Sequence, residues 1–143
     1  MTSPFPTLGI TVFERGWLSS NNVLFVGRDQ TAVIDTGYST HAQQTVDLVK
    51  AELGQRSLDL IANTHLHSDH CGGNAKLKAV YSDARILIPP GLARAVHDWD
   101  TTALTFEPTG QTCERFHGDG LLIPGDVIKL GDHAWEIHAA KGH

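Results

Sequence analysis

The sequence predicts an α/β sandwich. Two observations carry that reading: an early β-meander, and after it a run in which strands alternate with helices. The chain has 143 residues, the length of one domain and enough for a real core. Hydrophobic residues make up 41% and charged residues 19%, which places it with ordinary globular proteins rather than disordered chains.

The elements follow in order. Leu8 to Glu14 and Val23 to Gly27 read as two antiparallel strands joined across Ser19-Ser20-Asn21-Asn22. Thr31 to Asp35 is a short apolar strand. Thr40-His41-Ala42-Gln43 resembles a capping box, and Val46, Val49 and Leu53 follow at helical spacing until Gly54 stops the helix. Leu58 to Thr64 is apolar apart from Asp59 and reads as a buried strand. Ala75 to Val80 is a short helix and Arg85 to Ile88 a strand. Pro90 suits a helix start, with Leu92, Ala93 and Val96 as the buried face. Asp100 to Gly120 is polar and turn-rich, with Phe106 and Phe116 interspersed. It reads equally as a flap or as a surface connection anchored by its aromatics. Val127 to Leu130 and Ala134 to His138 form a hairpin around Gly131-Asp132.

The chemistry concentrates in Thr64-His65-Leu66-His67-Ser68-Asp69-His70-Cys71-Gly72-Gly73-Asn74. Three histidines and one carboxylate fall within residues 65–70, which packing does not require. Imidazole nitrogens and carboxylate oxygens are ligands for zinc and similar divalent ions. His65 and His67 leave the end of a strand at period two and so point the same way. Asp69 and His70 then lie in the turn to the next helix, where Gly72 and Gly73 allow close backbone approach. Two ligand pairs flanking a tight loop suit two neighbouring ions better than one.

His65-x-His67-x-Asp69-His70 followed by Gly72-Gly73 resembles the signature of the metallo-β-lactamase-fold hydrolases, among them the glyoxalase II-type thioesterases, lactonases and β-lactamases. Ala32-Val33-Ile34-Asp35-Thr36-Gly37 resembles the family's apolar strand ending in Asp-x-Gly. Ile137-His138-Ala139-Ala140-Lys141-Gly142-His143 resembles the strand and turn that deliver a third histidine, with Lys141 where proline is common. The resemblance implies the αβ/βα layered fold, with the metal site at the edge between two sheets. It implies that His65, His67 and His143 hold a first ion, and Asp69 and His70 a second. The cofactor is then one or two zinc ions, with iron or manganese as substitutes. Asp69 is the candidate catalytic residue, as a proton acceptor for water, and Asp35 orients a ligand from behind. The family places a bridging aspartate and a last histidine well downstream of the position of His143. The resemblance therefore implies that residues 1–143 are the N-terminal part of a single domain, with only that half of the fold present.

The implied activity is hydrolysis of a small ester, thioester, lactone or amide, because a divalent ion lowers the pKa of water to about 7. Two alternatives stand beside it: an iron-dependent oxidoreductase of the same fold, and a non-catalytic metal-binding module. A flavodiiron pattern replaces one of these histidines with glutamate, which residues 65–70 do not. The implied partner is a small-molecule substrate. A net charge of −5 with no Lys/Arg run offers no footprint for nucleic acid or an anionic membrane. An exposed half-domain face would favour self-association. Met1 to Pro6 has neither a basic nor an apolar leader region, so a cytoplasmic protein is expected. His41, His97, His117 and His133 are expected to be ordinary surface or core residues, and His138 not to be a ligand. Cys71 is expected to be a small buried filler, and Cys71 and Cys113 form no Cys-x-x-Cys pair.

Overall fold

In a computed structural model describing residues 6–141, the strands form a six-stranded sheet and a separate two-stranded one. The first sheet runs β1 (Ile10–Phe13), β2 (Asn22–Val26), β3 (Thr31–Ile34), β4 (Leu60–Ala62), β5 (Arg85–Ile88) and β6 (Gly120–Leu121), in that spatial order. β1, β2 and β3 pair antiparallel, and β3 to β6 pair parallel. That change of direction is where sequence begins to place helices between strands, since parallel neighbours need a crossover. α1 (Ala42–Leu53) joins β3 to β4. α2 (Ser68–Cys71) and α3 (Asn74–Val80) join β4 to β5, and α4 (Ala93–Asp98) precedes β6.

Alternation along the strands splits the core in two. Leu24, Val33, Ile61 and Ile86 face the helices, where they meet Val46, Val49, Leu53 and Leu77. Phe25, Ala32 and Leu60 face the opposite way and meet Leu130. Leu130 belongs to the hairpin of β7 (Val127–Leu130) and β8 (His133–Glu136), which covers this second face. The contact is close because Gly27 lacks a side chain: a Cβ there would lie 2.4 Å from the carbonyl carbon of Gly131. Arg28 N–H donates to Asp132 Oδ1 at 2.6 Å and Gly131 N–H to Gln30 Oε1 at 2.6 Å, and Phe25 meets Trp135 edge-on.

Some expected details differ. No capping box forms at α1: a 3-10 turn, Ser39–His41, precedes it, His41 occupies the N-cap without a side-chain bond to the helix end, and Gln43 donates instead to Asp47. β4 is shorter than Leu58 to Thr64 because the Asp59 carboxylate ties the start of β3, accepting from Thr31 N–H at 2.9 Å. Asp69 and His70 lie in the one-turn helix α2 rather than in an open turn. Between α4 and β6 the chain is an anchored connection, not a loose flap. Leu104, Phe106 and Phe116 are buried, and Trp99 packs on both phenylalanines. No helix among the described residues is long and apolar enough to cross a membrane.

Candidate metal centre

The site lies just past the C-terminal ends of β3 and β4, where loops leave the parallel part of the sheet. Ladder bonds continue into it: Asp35 N–H donates to Ala62 O at 2.9 Å and Asn63 N–H to Leu87 O at 3.1 Å. The chain then emerges through Thr64. Leu66 turns inward and is buried, while His65 and His67 stay half-exposed on the other side, with ring centroids 4.7 Å apart. His70 returns on α2 to place its ring 3.8 Å from that of His65. The structure thus gathers His65, His67, Asp69 and His70 at one place. His143 lies outside the described residues.

Asp35 sits behind this cluster, buried, with a φ of 61°. It accepts from Thr64 N–H at 2.9 Å and from Thr64 Oγ1 at 2.7 Å, and its Oδ2 stands 2.8 Å from His70 Nδ1. A carboxylate only accepts, so in the neutral ring Nδ1 of His70 carries the proton and Nε2 keeps its lone pair. That Nε2 faces Asp69 Oδ2 at 3.6 Å. Two donors about 2.1 Å from one tetrahedral ion sit about 3.4 Å apart, so this pair is spaced to share a zinc ion. Thr64 Oγ1 also stands 3.1 Å from His65 Nδ1. Its proton is given to Asp35, which leaves its oxygen to accept from His65 Nδ1–H. One carboxylate and one hydroxyl therefore orient two imidazoles. Burial pulls the His70 pKa down, but the hydrogen bond and charge of Asp35, with the charge of Asp69, outweigh it and raise the pKa above its ordinary value.

Beneath the loop lies a buried polar clamp that the sequence reading missed. Thr36, Asn63 and Asn74 are fully buried. Asn74 Nδ2 donates to Asn63 Oδ1 at 2.7 Å, and Asn74 Oδ1 accepts from Thr36 Oγ1 at 2.8 Å. The His70 carbonyl accepts from Thr36 N–H at 2.8 Å and from Asn63 Nδ2 at 3.3 Å. The available signal was Asn63 breaking an apolar strand and Asn74 following two glycines. Those glycines are needed for close approach: a Cβ on Gly72 would lie 2.4 Å from Ser39 N, and one on Gly73 2.4 Å from Thr36 O.

Among the remaining histidines, His138 is exposed and pairs with Glu136 at 3.5 Å. His41 is not a bare helix start: it is half-buried with Nδ1 3.0 Å from Ser19 Oγ. Cys71 is fully buried, and its contact with Cys113 together with burial pushes its thiol pKa well above the ordinary value. Among the described residues, no three His, Cys, Asp or Glu side chains already surround a single point. The donors fit a zinc-type ion in kind, and Asp69 and His70 fit it in spacing.

Fold and motif together define a known class. Residues 15–143 match the metallo-beta-lactamase superfamily, and the chain belongs to it. It is 30% identical over 121 residues to the hydroxyacylglutathione hydrolase of Maricaulis maris, covering 80% of this chain and 35% of that protein. The hydroxyacylglutathione hydrolase of Photobacterium profundum is 30% identical over 125 residues, covering 78% and 46%. Among solved structures, the subclass B3 metallo-beta-lactamase BJP-1 of Bradyrhizobium japonicum superposes with a TM-score of 0.75 at 22% identity, over 94% of this chain and 50% of that one. A mutant metallo-beta-lactamase from Cronobacter sakazakii gives 0.70 at 26% identity, over 91% and 50%. The chain thus spans about half the length of these structures and less than half of the two hydrolases.

Proposed function

We propose that this chain carries the metal-binding motif of a metal-dependent hydrolase that acts on a small acyl substrate, a thioester before an ester, lactone or amide. The observation that carries the reading is the Asp35–His70–Asp69 arrangement, in which a buried carboxylate fixes the tautomer that points Nε2 at a second donor. His65, His67 and His143 would hold one ion and Asp69 and His70 the other. Zinc is the ion that this nitrogen and oxygen set favours, and when bound it would supply the Lewis acidity that activates water near neutral pH. Asp69, half-buried beside His70, would accept a proton at its carboxylate. Thioesters rank first because the two curated relatives are named hydroxyacylglutathione hydrolases. The whole activity belongs to a protein that also supplies what the other half of the structural relatives contributes.

The test is metal content by mass spectrometry, with steady-state hydrolysis of a panel of thioesters, lactones and aryl esters. It is run on this chain and on a longer protein in which a second half of the fold follows it. Zinc uptake is expected in both, and thioester turnover in the longer protein. Asp69→Asn is expected to cut turnover by about 100-fold or more while circular dichroism stays unchanged. Wild-type turnover by Asp69→Asn across the panel would falsify the assignment. Iron in place of zinc, with no hydrolysis, would favour the oxidoreductase reading.

A further inference from the structure

Cys71 and Cys113 are 42 positions apart in sequence, yet their Sγ atoms stand 4.0 Å apart, and both are free thiols. The metal-site reading uses neither. Their proximity is held from several sides. Thr112 N–H donates to the Tyr38 hydroxyl at 3.0 Å, Ser39 Oγ donates to Thr112 O at 3.1 Å, and Ser68 Oγ hydrogen-bonds Gln111 Oε1. Gln111 and Thr112 are thus latched beside α2, which keeps Cys113 over Cys71. Cys71 is fully buried and Cys113 half-exposed, so one sulfur can meet a solute while the other waits behind it. A disulfide bond is about 2.0 Å long, so bonding needs an approach of about 2 Å, within reach of side-chain rotation and a small loop shift.

We propose that Cys71 and Cys113 form an oxidative modification site, closed to an intramolecular disulfide by a hydroperoxide. The Cys113 thiolate attacks one peroxide oxygen and the O–O bond breaks. The leaving oxygen takes a proton, and Cys113 becomes a sulfenic acid. Cys71 Sγ then attacks Cys113 Sγ, the S–O bond breaks, and hydroxide leaves as water with the proton of Cys71. Two thiols give up two electrons and the peroxide takes them. The bond would tie the 111–113 segment to the turn that carries Asp69 and His70. Its formation does not rest on the metal-site reading, although its effect on that site does.

The experiment treats the 143-residue chain with hydrogen peroxide and follows it by intact mass, thiol titration and peptide mapping. A mass loss of about 2 Da is expected, with both thiols gone and a crosslinked peptide pair containing Cys71 and Cys113. Cys71→Ser should accumulate sulfenic acid at Cys113, trapped by a dimedone probe. Cys113→Ser should leave Cys71 reacting on the order of tenfold more slowly, because it is buried. Sulfinic acid on Cys113 with Cys71 still a thiol would overturn the proposal. So would disulfide-linked dimers as the main product, or two unmodified thiols.

Discussion

Replacing Asp35 by asparagine changes one atom and should reverse the chemistry of His70. Asparagine tolerates the positive φ of 61° at this position, so the backbone should hold. Its amide oxygen can still accept from Thr64 N–H. Its NH2 group then faces His70 Nδ1, where the carboxylate oxygen stood at 2.8 Å. Two donors cannot share that contact, so Nδ1 becomes the acceptor and the proton moves to Nε2. The nitrogen that faces Asp69 at 3.6 Å then loses its lone pair. Loss of such a supporting contact typically lowers metal affinity 10–100-fold, about 1.4–2.7 kcal/mol. Charge-assisted bonds to Thr64 also weaken, which should cost about 1.5–3 kcal/mol of stability. Long-range proton–nitrogen NMR of the metal-free protein at alkaline pH reads the tautomer directly, and competition titration reads zinc affinity. The sign of the pH effect is fixed too. The His70 pKa is raised in the fold, so in the metal-free protein its stabilisation is full below the ordinary value of 6.5 and is lost as pH rises through the raised value. The gap between wild type and Asp35→Asn should therefore narrow with rising pH. An unchanged Nδ1–H tautomer in the variant, with unchanged zinc affinity, would refute this reasoning.

Three further outcomes follow from the same structure. Asn74→Ala leaves buried Asn63 Oδ1 without its donor, while Thr36 Oγ1 keeps Gly73 N–H and the His70 carbonyl, so urea unfolding should show a loss of about 1–3 kcal/mol; a loss under about 0.5 kcal/mol would contradict the clamp. Gly73→Ala drives a Cβ to 2.4 Å from Thr36 O and should cost about 1–3 kcal/mol, whereas Gly91→Ala, with nothing within 4 Å, should be nearly silent in the same thermal melts. Val127, 66% exposed, and Trp135, 41% exposed, lie on the β7–β8 hairpin, so the chain should self-associate in a concentration-dependent way. Light scattering should show Val127→Lys shifting it toward monomer, and a wild-type monomer at tens of micromolar would exclude association through this face.

The sequence by itself determined the order of elements and the ligand types. Apolar strands at Thr31 to Ile34 and Arg85 to Ile88, helical spacing through Val46, Val49 and Leu53, and the His65 to His70 cluster are all local patterns, and local patterns survive in one dimension. His65 and His67 do come together, but not by strand period: β4 ends at Ala62, and the loop beyond it brings their rings 4.7 Å apart. Tertiary structure alone decided which distant residues meet. Asp35 is paired with His70 because parallel pairing of β3 and β4 sets their ends side by side. Asn63, Asn74 and Thr36 close into a clamp because two glycines let three backbone segments crowd together. β6 went unread because two residues carry too little pattern, and only the edge of β5 makes them a strand. The expected capping box failed for a related reason. The chain entering α1 is held by Ser19, which accepts from Tyr38 N–H and meets His41, and this long-range hold sets where the helix begins. Cys71 and Cys113 are the clearest case: no spacing rule links them, and only the latch at Gln111 and Thr112 brings their sulfurs within 4.0 Å.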